Sequence, residues 1–246
     1  MKNIPLILLS YNQPTYLKNA VNWWRWYHPE NPIIILDNGS TSEGLHLYLS
    51  SIEDDKIIIV RNQNNDCAGN LSALLNCEDF KKDGFEYYVI SDPDIMPHPA
   101  TPPNFLEVLV HAVKDEGFHH AGFGLITSDI PGWLEKRAEI QYNEGELLKN
   151  LITFGYKGVA YAGYRAPLDT TFALYSVANG GWHAPMSGEA WSSCLRIFDA
   201  FHLQWYIDPA NVNPEMDYYY QTAKYRDLTP ISAGKNNNRP ARYCPQ

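Results

Sequence analysis

Four short runs of β-branched and large apolar residues, each followed at once by a polar cluster, constrain this chain more than any other feature. Residues 4–9 end in Ser10-Tyr11-Asn12, and residues 33–36 in Asp37-Asn38-Gly39-Ser40. Residues 57–60 end in Arg61 and the Asn-rich stretch from Asn62, and residues 87–90 in Ser91-Asp92-Pro93-Asp94. Helical segments fall between them. Pro14–Tyr27 opens on a proline, where its missing N–H is no loss, and 43–51 and 68–75 come after it. Buried strands separated by helices predict a largely parallel sheet with helices on both faces. In such sheets ligands bind beyond the carboxyl ends of the strands. All four polar clusters fall there, where packing alone has no need of so many Asn and Asp.

The pattern loosens after Asp94. Phe105–Lys114 predicts a helix, 120–126 a strand, and 133–151 a helix in two parts around Asn143 and Gly145. Residues 158–175 predict two strands about a turn at 165–169, and 214–225 a last helix. No internal repeat or sharp boundary interrupts the chain. The expected organisation is one domain over 1–226, with a nucleotide-binding half (1–98) and an acceptor-binding half (99–226), and a tail (227–246) rich in Asn, Pro and Arg.

Composition narrows the function classes. Forty-five per cent hydrophobic residues suffice for a sizeable core. The net charge of −9 argues against nucleic-acid and anionic-membrane partners, which select clustered Lys and Arg. The four cysteines, Cys67, Cys77, Cys194 and Cys244, have no CxxC spacing, so reduced thiols in a cytoplasmic protein are expected. The apolar run at 4–9 holds Pro5 and is too short for a signal core or a transmembrane segment. Aromatic residues reach 13%, including seven Trp and seventeen Tyr, and such rings fill cores as readily as they cover sugar faces.

Asp92-Pro93-Asp94 is the sharpest motif. Two carboxylates one residue apart, just past a strand, can both reach a hard cation, and such oxygen donors suit Mg²⁺ or Mn²⁺. A surface turn would also favour Asp and Pro.

Here the chain resembles a known family. PLILLSYNQPTYLKNAV (5–21), IIILDNGST (33–41) and YYVISDPDIMP (87–97) look like family-2-like glycosyltransferases of GT-A fold. The nearest likeness is to small enzymes of surface-polysaccharide synthesis and of large DNA viruses. APLDTTFALY (166–175) and FHLQWYIDP (201–209) are similar to the DTTF and HLPWY signatures of that subgroup, with Gln204 where Pro is usual. The resemblance covers about residues 3–209, with its motifs in the family's order. It implies a GT-A, Rossmann-like nucleotide-diphospho-sugar transferase: an α/β fold with a mixed, mostly parallel sheet and helices on both faces. The implied reaction moves a sugar from a nucleoside-diphosphate sugar to an acceptor hydroxyl of a glycan or glycoconjugate, with inversion. UDP is favoured, with dTDP and GDP open. A bound metal would neutralise the diphosphate locally, which reconciles that substrate with an acidic protein.

The resemblance also assigns residues. Ser10, Tyr11 and Asn12 match the first-strand loop that meets base and ribose, and Asp37, with Asn38 beside it, matches the acid that hydrogen-bonds the base. Arg61 and Asn62 fall where the third-strand loop closes over the nucleoside. Asp92 belongs to the ribose and metal, and Asp94 to the metal and diphosphate. His202 is the third metal ligand or, among Phe201, Leu203 and Trp205, a core histidine. Asp169 is the expected base; it would also serve as a cap before Thr170-Thr171. Glu189 and Asp199 compete for the base role.

His119-His120 lacks an acid at ligand spacing and is set aside as a metal site. Trp23, Trp24 and Trp26 are too dense to share one helix face. Two rival readings stand. A sugar nucleotidyltransferase would want a Gly-rich, basic first loop, which Ser10 to Pro14 does not provide. A catalytically inactive carbohydrate-binding module would have no need of Asp92, Asp94 and Asp169.

Overall fold

A computed structural model describes residues 3–52, 54–182 and 193–223. Glu189, Cys244 and the tail from 227 lie outside the described residues.

The first half alternates as its pattern requires: β1 (Leu6–Ser10), α1 (Pro14–Tyr27), β2 (Ile33–Asp37), α2 (Glu43–Ile52), β3 (Ile57–Arg61), α3 (Cys67–Asn76), a short α4 (Glu78–Lys82) and β4 (Tyr87–Ser91). The second half holds β5 (Ile95–Pro97), α5 (Phe105–Lys114), β6 (His120–Leu125), α6 (Arg137–Glu146), β7 (Leu151–Tyr156), β8 (Val159–Arg165), β9 (Ala173–Ser176) and β10 (Leu195–His202). A 3-10 turn over Leu203–Tyr206 and α7 (Pro214–Thr222) complete it. The described strands form one sheet in the order β3-β2-β1-β4-β9-β6-β10-β8-β7, with β5 pairing β10. The pairings set β5, β8 and β9 against the direction of the other strands, so the sheet is mixed and mostly parallel.

Both faces of the sheet are covered. Leu6, Leu8, Ile33, Ile35 and Val89 point into a core with α1, α2 and α5. Their alternates Ile7, Leu9, Ile34, Leu36 and Ile90 pack with Leu71 of α3 and Phe80 of α4. That is the period-2 geometry of strands buried on both sides. Helix α1 buries Leu17, Ala20, Val21 and Trp24, one stripe at helical spacing. Trp23 packs partly against the same core, while Trp26 is 84% exposed. The three tryptophans do divide between faces.

The second half departs from expectation at one helix. Helix α6 runs unbroken through Asn143 and Gly145, stops at Glu146, and Leu151 begins a strand instead. The cause is tertiary, since Glu144 is buried to pair with Arg196. Strands β7 and β8 form a hairpin turned by Lys157 (φ +50°) and Gly158 (φ +78°). Two positive φ values match the twist of a two-residue hairpin. Strand β10 escapes sequence reading because an irregularity between Arg196 and Phe198 breaks its alternation.

Strand β9 is the one that shapes the carboxyl end of the sheet. It lies antiparallel between β4 and β6. The loop entering it therefore arrives beside the loop leaving β4.

Candidate active site

A cavity of about 260 Å³ opens at the carboxyl ends of β1, β2 and β4. Of the expected site residues, Tyr11, Asn38, Asp92, Asp94 and His202 line it. Gln13, Asn65, Cys67 and Tyr219, to which the sequence assigned no role, line it as well, and so does Gln204, noted there only as a departure from the HLPWY string. A larger, more open groove of about 580 Å³ lies between α1 and α2, near Arg25, Tyr48 and Asp54. It borders the start of β3 rather than its end, and none of the expected residues reaches it.

The carboxylates converge from two strands. Asp92, leaving β4, accepts a hydrogen bond from the Thr170 hydroxyl at 2.8 Å, and its N–H donates to the Thr170 carbonyl at 3.1 Å. Burial first, then the charge of Asp94, pushes the Asp92 carboxyl well above its usual range; the Thr170 bond opposes this and the charge of Asp169 adds to it. Asp94 is 4% exposed and accepts from the Gln204 amide at 2.5 Å. His202 Nε2 stands 3.9 Å from the same Asp94 oxygen, and its ring stacks on Trp205 at 4.9 Å. The Asp169 carboxyl is also raised, chiefly by the protein packed around it, against the pull of the Thr170 N–H and the Trp182 indole. Among the described residues lining the cavity there is no Lys or Arg.

The other expected residues hold the loops together. Asn12 (φ +50°) donates from its backbone N–H to Ser40 Oγ at 3.0 Å and from its amide to Thr222 Oγ1 at 2.9 Å. Its carbonyl oxygen accepts from the N–H groups of Thr41 and Ser42 at 2.8 and 2.9 Å. Asp37, 3% exposed, accepts from the Ser40 N–H at 3.1 Å. Asn62 donates twice to the Asp37 carbonyl, at 2.8 and 3.2 Å, and Arg61 is exposed at the end of edge strand β3. Gly39 (φ +74°) lets these loops close, because a Cβ there would stand 2.8 Å from Asn64 N. Asp199 lies in β10, its carbonyl accepting from the His98 N–H at 2.9 Å, and does not line the cavity.

Helix α7 supplies the far wall. Tyr11 and Asn12 bond to Thr222, and Thr15 bonds to Glu215 at 3.0 and 2.6 Å. Tyr219 is thereby placed against Asp94 and Gln204; burial, then Asp94, raises its phenol above the ordinary range. The Cys67 thiol is pushed up to about 12 by burial, then by Asp92 and Asp169. It is a neutral packing group there, not a nucleophile.

Gln13 Nε2 and His202 Nδ1, on residues lining the cavity, are buried without a hydrogen-bond partner, as are Ser10 Oγ and Thr171 Oγ1 in the loops beside it. Buried polar groups are normally satisfied. Unpartnered polar atoms facing crowded carboxylates suit a polar ligand.

The donor set suits a hard or borderline cation, with two carboxylates and an imidazole. Among the described residues no three His, Cys, Asp or Glu side chains converge tightly enough to enclose a metal ion. Mg²⁺-type ions are commonly held by one or two carboxylates plus substrate phosphates rather than by an all-protein cage. Asp92 and Asp94 fit that pattern. His119 and His120, set aside as metal ligands, bond to each other at 3.0 Å within the core region. No helix among the described residues is long and apolar enough to cross a membrane.

No family model matches the sequence, and no curated protein matches it. Solved structures do. The mannosyltransferase PcManGT from Pyrobaculum calidifontis, in complex with GDP-Man and Mn²⁺, is similar at TM-score 0.50 and 12% identity, over 93% of this chain and 67% of its own. TarS from S. aureus, in complex with UDP-GlcNAc, is similar at TM-score 0.47 and 13% identity, over 85% of this chain and 62% of its own. The chain thus spans roughly two thirds of the length of the structures it resembles, and the likeness to the first establishes a GT-A-like fold.

Proposed function

We propose that this chain is a metal-dependent glycosyltransferase that moves a sugar from a nucleoside-diphosphate sugar, UDP-linked by preference, to an acceptor hydroxyl of a glycan or glycoconjugate, with inversion. One observation carries the reading. Asp92, Asp94 and Asp169 are gathered at the carboxyl end of a GT-A-like sheet with no described basic residue lining the cavity. Like charges brought together in a partly dry site call for a cation. A diphosphate bound against them needs the same cation.

Asp92 and Asp94, with His202, would hold Mn²⁺ or Mg²⁺, which offsets negative charge on the departing diphosphate as a Lewis acid. The Tyr11, Asn38 and Asn65 side of the cavity takes the nucleoside, with Asp37 and Asn62 fixing the loops that close over it. Asp169 acts on the acceptor. As its hydroxyl oxygen forms a bond to the anomeric carbon, the bond from that carbon to the diphosphate oxygen breaks. The electron pair leaves with the nucleoside diphosphate, and the hydroxyl proton passes to the Asp169 carboxylate. The packing that raises this carboxyl makes it a stronger base than an aspartate without such neighbours.

The nucleotidyltransferase reading is disfavoured by the same absence of basic lining among the described residues, because a triphosphate would need more positive charge. The test is a thermal-shift panel of UDP-, GDP- and dTDP-sugars with and without Mn²⁺. A donor at a hundred times its Kd stabilises by about 2.7 kcal/mol, a shift of several degrees. One class of donor should raise the Tm with Mn²⁺ and not in EDTA, and free nucleoside diphosphate should then accumulate. A panel without any Mn²⁺-dependent shift would sink the proposal.

A further inference from the structure

The segment 166–172 joining β8 to β9 is neither helix nor strand, yet it carries Asp169 close enough to Asp92 for the two charges to be felt, although Asp169 does not itself line the cavity. A backbone carbonyl dried without a partner costs free energy, so such a segment must dispose of each one. Three consecutive carbonyls are taken here by side chains from three different strands. Arg196 of β10 donates from Nε to Pro167 O at 2.7 Å, and His120 of β6 donates from Nε2 to Leu168 O at 2.7 Å. Tyr175 of β9 donates from its hydroxyl to Asp169 O at 3.3 Å. None of the three donors lines the cavity.

Each donor is itself held from behind. Arg196, 8% exposed, pairs through Nη1 with Glu144 Oε2 at 2.6 Å. The His120 ring stacks on Tyr175 at 4.6 Å, and its Nδ1 faces His119 Nδ1 at 3.0 Å and Cys194 Sγ at 3.4 Å. A carbonyl can only accept, so His120 Nε2 carries the proton. Gly122 of β6 gives the segment room, since a Cβ there would stand 2.4 Å from Phe172 O. Phe172 has a φ of +53°, a strained value for a bulky residue, and is locked at 3% exposure against Trp23, Trp24, Phe105 and Phe123.

A buried ion pair such as Arg196–Glu144 loses so much hydration that it stabilises a fold little compared with apolar packing. Aimed at a carbonyl two residues before Asp169, it confers position instead. We propose that Arg196, His120 and Tyr175 are positioning residues that fix the Asp169 carboxylate relative to the donor, with Glu144 aiming Arg196. The inference rests on the reading of Asp169 as the base. Catalysis depends steeply on such placement, because a displacement of about 1 Å costs on the order of a hundredfold in rate.

The experiment is a set of double-mutant cycles. Turnover is read as nucleoside diphosphate released from the UDP-sugar, and donor affinity as UDP calorimetry with Mn²⁺. His120→Leu should lower kcat by about ten- to a hundredfold while leaving UDP affinity within about twofold. His120→Gln, whose amide can donate where Nε2 did, should restore most of the turnover. In an Asp169→Asn background, His120→Leu should cost nothing further, since residues acting through one group are not additive. Wild-type turnover in His120→Leu beside an inactive Asp169→Asn would overturn the positioning role and leave the base in place. An equal loss in both backgrounds would overturn it too, by showing that His120 acts elsewhere. Normal turnover in Asp169→Asn alone would remove the base and this inference with it. Should His120→Leu fail to fold, Tyr175→Phe and Arg196→Lys, which preserve volume or charge, decide by the same cycle.

Discussion

Asp94 accepts from Gln204 at 2.5 Å and lies 3.9 Å from His202, so both its position and its charge are in use. Asp94→Asn keeps the shape and removes the charge. If that charge helps hold a metal, activity should fall by roughly a hundredfold or more. The Tm should change little, because the substitution also relieves the repulsion that raises Asp92. Full activity of the variant in EDTA would return Asp94 to a turn-forming role. Asp92 and Asp94 stood out in the sequence because two carboxylates follow a buried strand, whereas Asp169 was reached through the resemblance of its DTTF string. Gln204 was legible only as a departure, the Gln of HLQWY, and its partner could not be read from it. Asp37 and Asn12 were marked as nucleotide contacts, and the structure places their side chains in loop-closing bonds to Ser40, Thr41, Ser42 and Thr222. Asn and Asp after a strand serve either purpose, and the spacing of the residues does not distinguish them.

At the scale of elements, α1 shows two effects in competition. It ends at His28, whose N–H caps the Trp24 carbonyl at 2.7 Å. A helix C-terminus favours a cationic histidine, but the ring is packed among Trp24, Tyr27 and Phe105. Burial wins and lowers its pKa from 6.5 to about 4. Between those values the unfolded chain binds the proton and the folded chain does not, so stability rises with pH across this window and is lost as pH falls through it. His28→Gln, neutral throughout, should give a Tm that declines less than wild type from pH 7 to pH 4. Parallel declines would show that the carboxylates alone set the acid limb. The ends of α1 and α5 were read to the residue because each buries an apolar stripe. Helix α6 and the β7–β8 hairpin were misread because a buried ion pair and a Lys-Gly turn, rather than periodicity, define them.

The whole molecule closes on itself late in the chain. Helix α7 buries little besides Met216, yet it bonds Thr222 to Tyr11 and Asn12, more than two hundred positions away, and walls the cavity with Tyr219. A chain ending at residue 212 should therefore keep its cooperative unfolding and lose the Mn²⁺-dependent shift with UDP. An undiminished shift would mean that α7 is no part of the donor site. The parallel order of β1 to β4 was legible because its alternation is local, whereas the insertion of β9 between β4 and β6 depends on pairings that no short stretch encodes. The bond between α7 and the first loop also has a meaning in time. A ribosome delivers this protein from its amino end, so strands β1 to β4 are available to pair while Asp169 and Tyr219 have yet to be made. A half-finished chain then has β1 to β4 but not the cavity, whose far wall is in place only once α7 has emerged and docked.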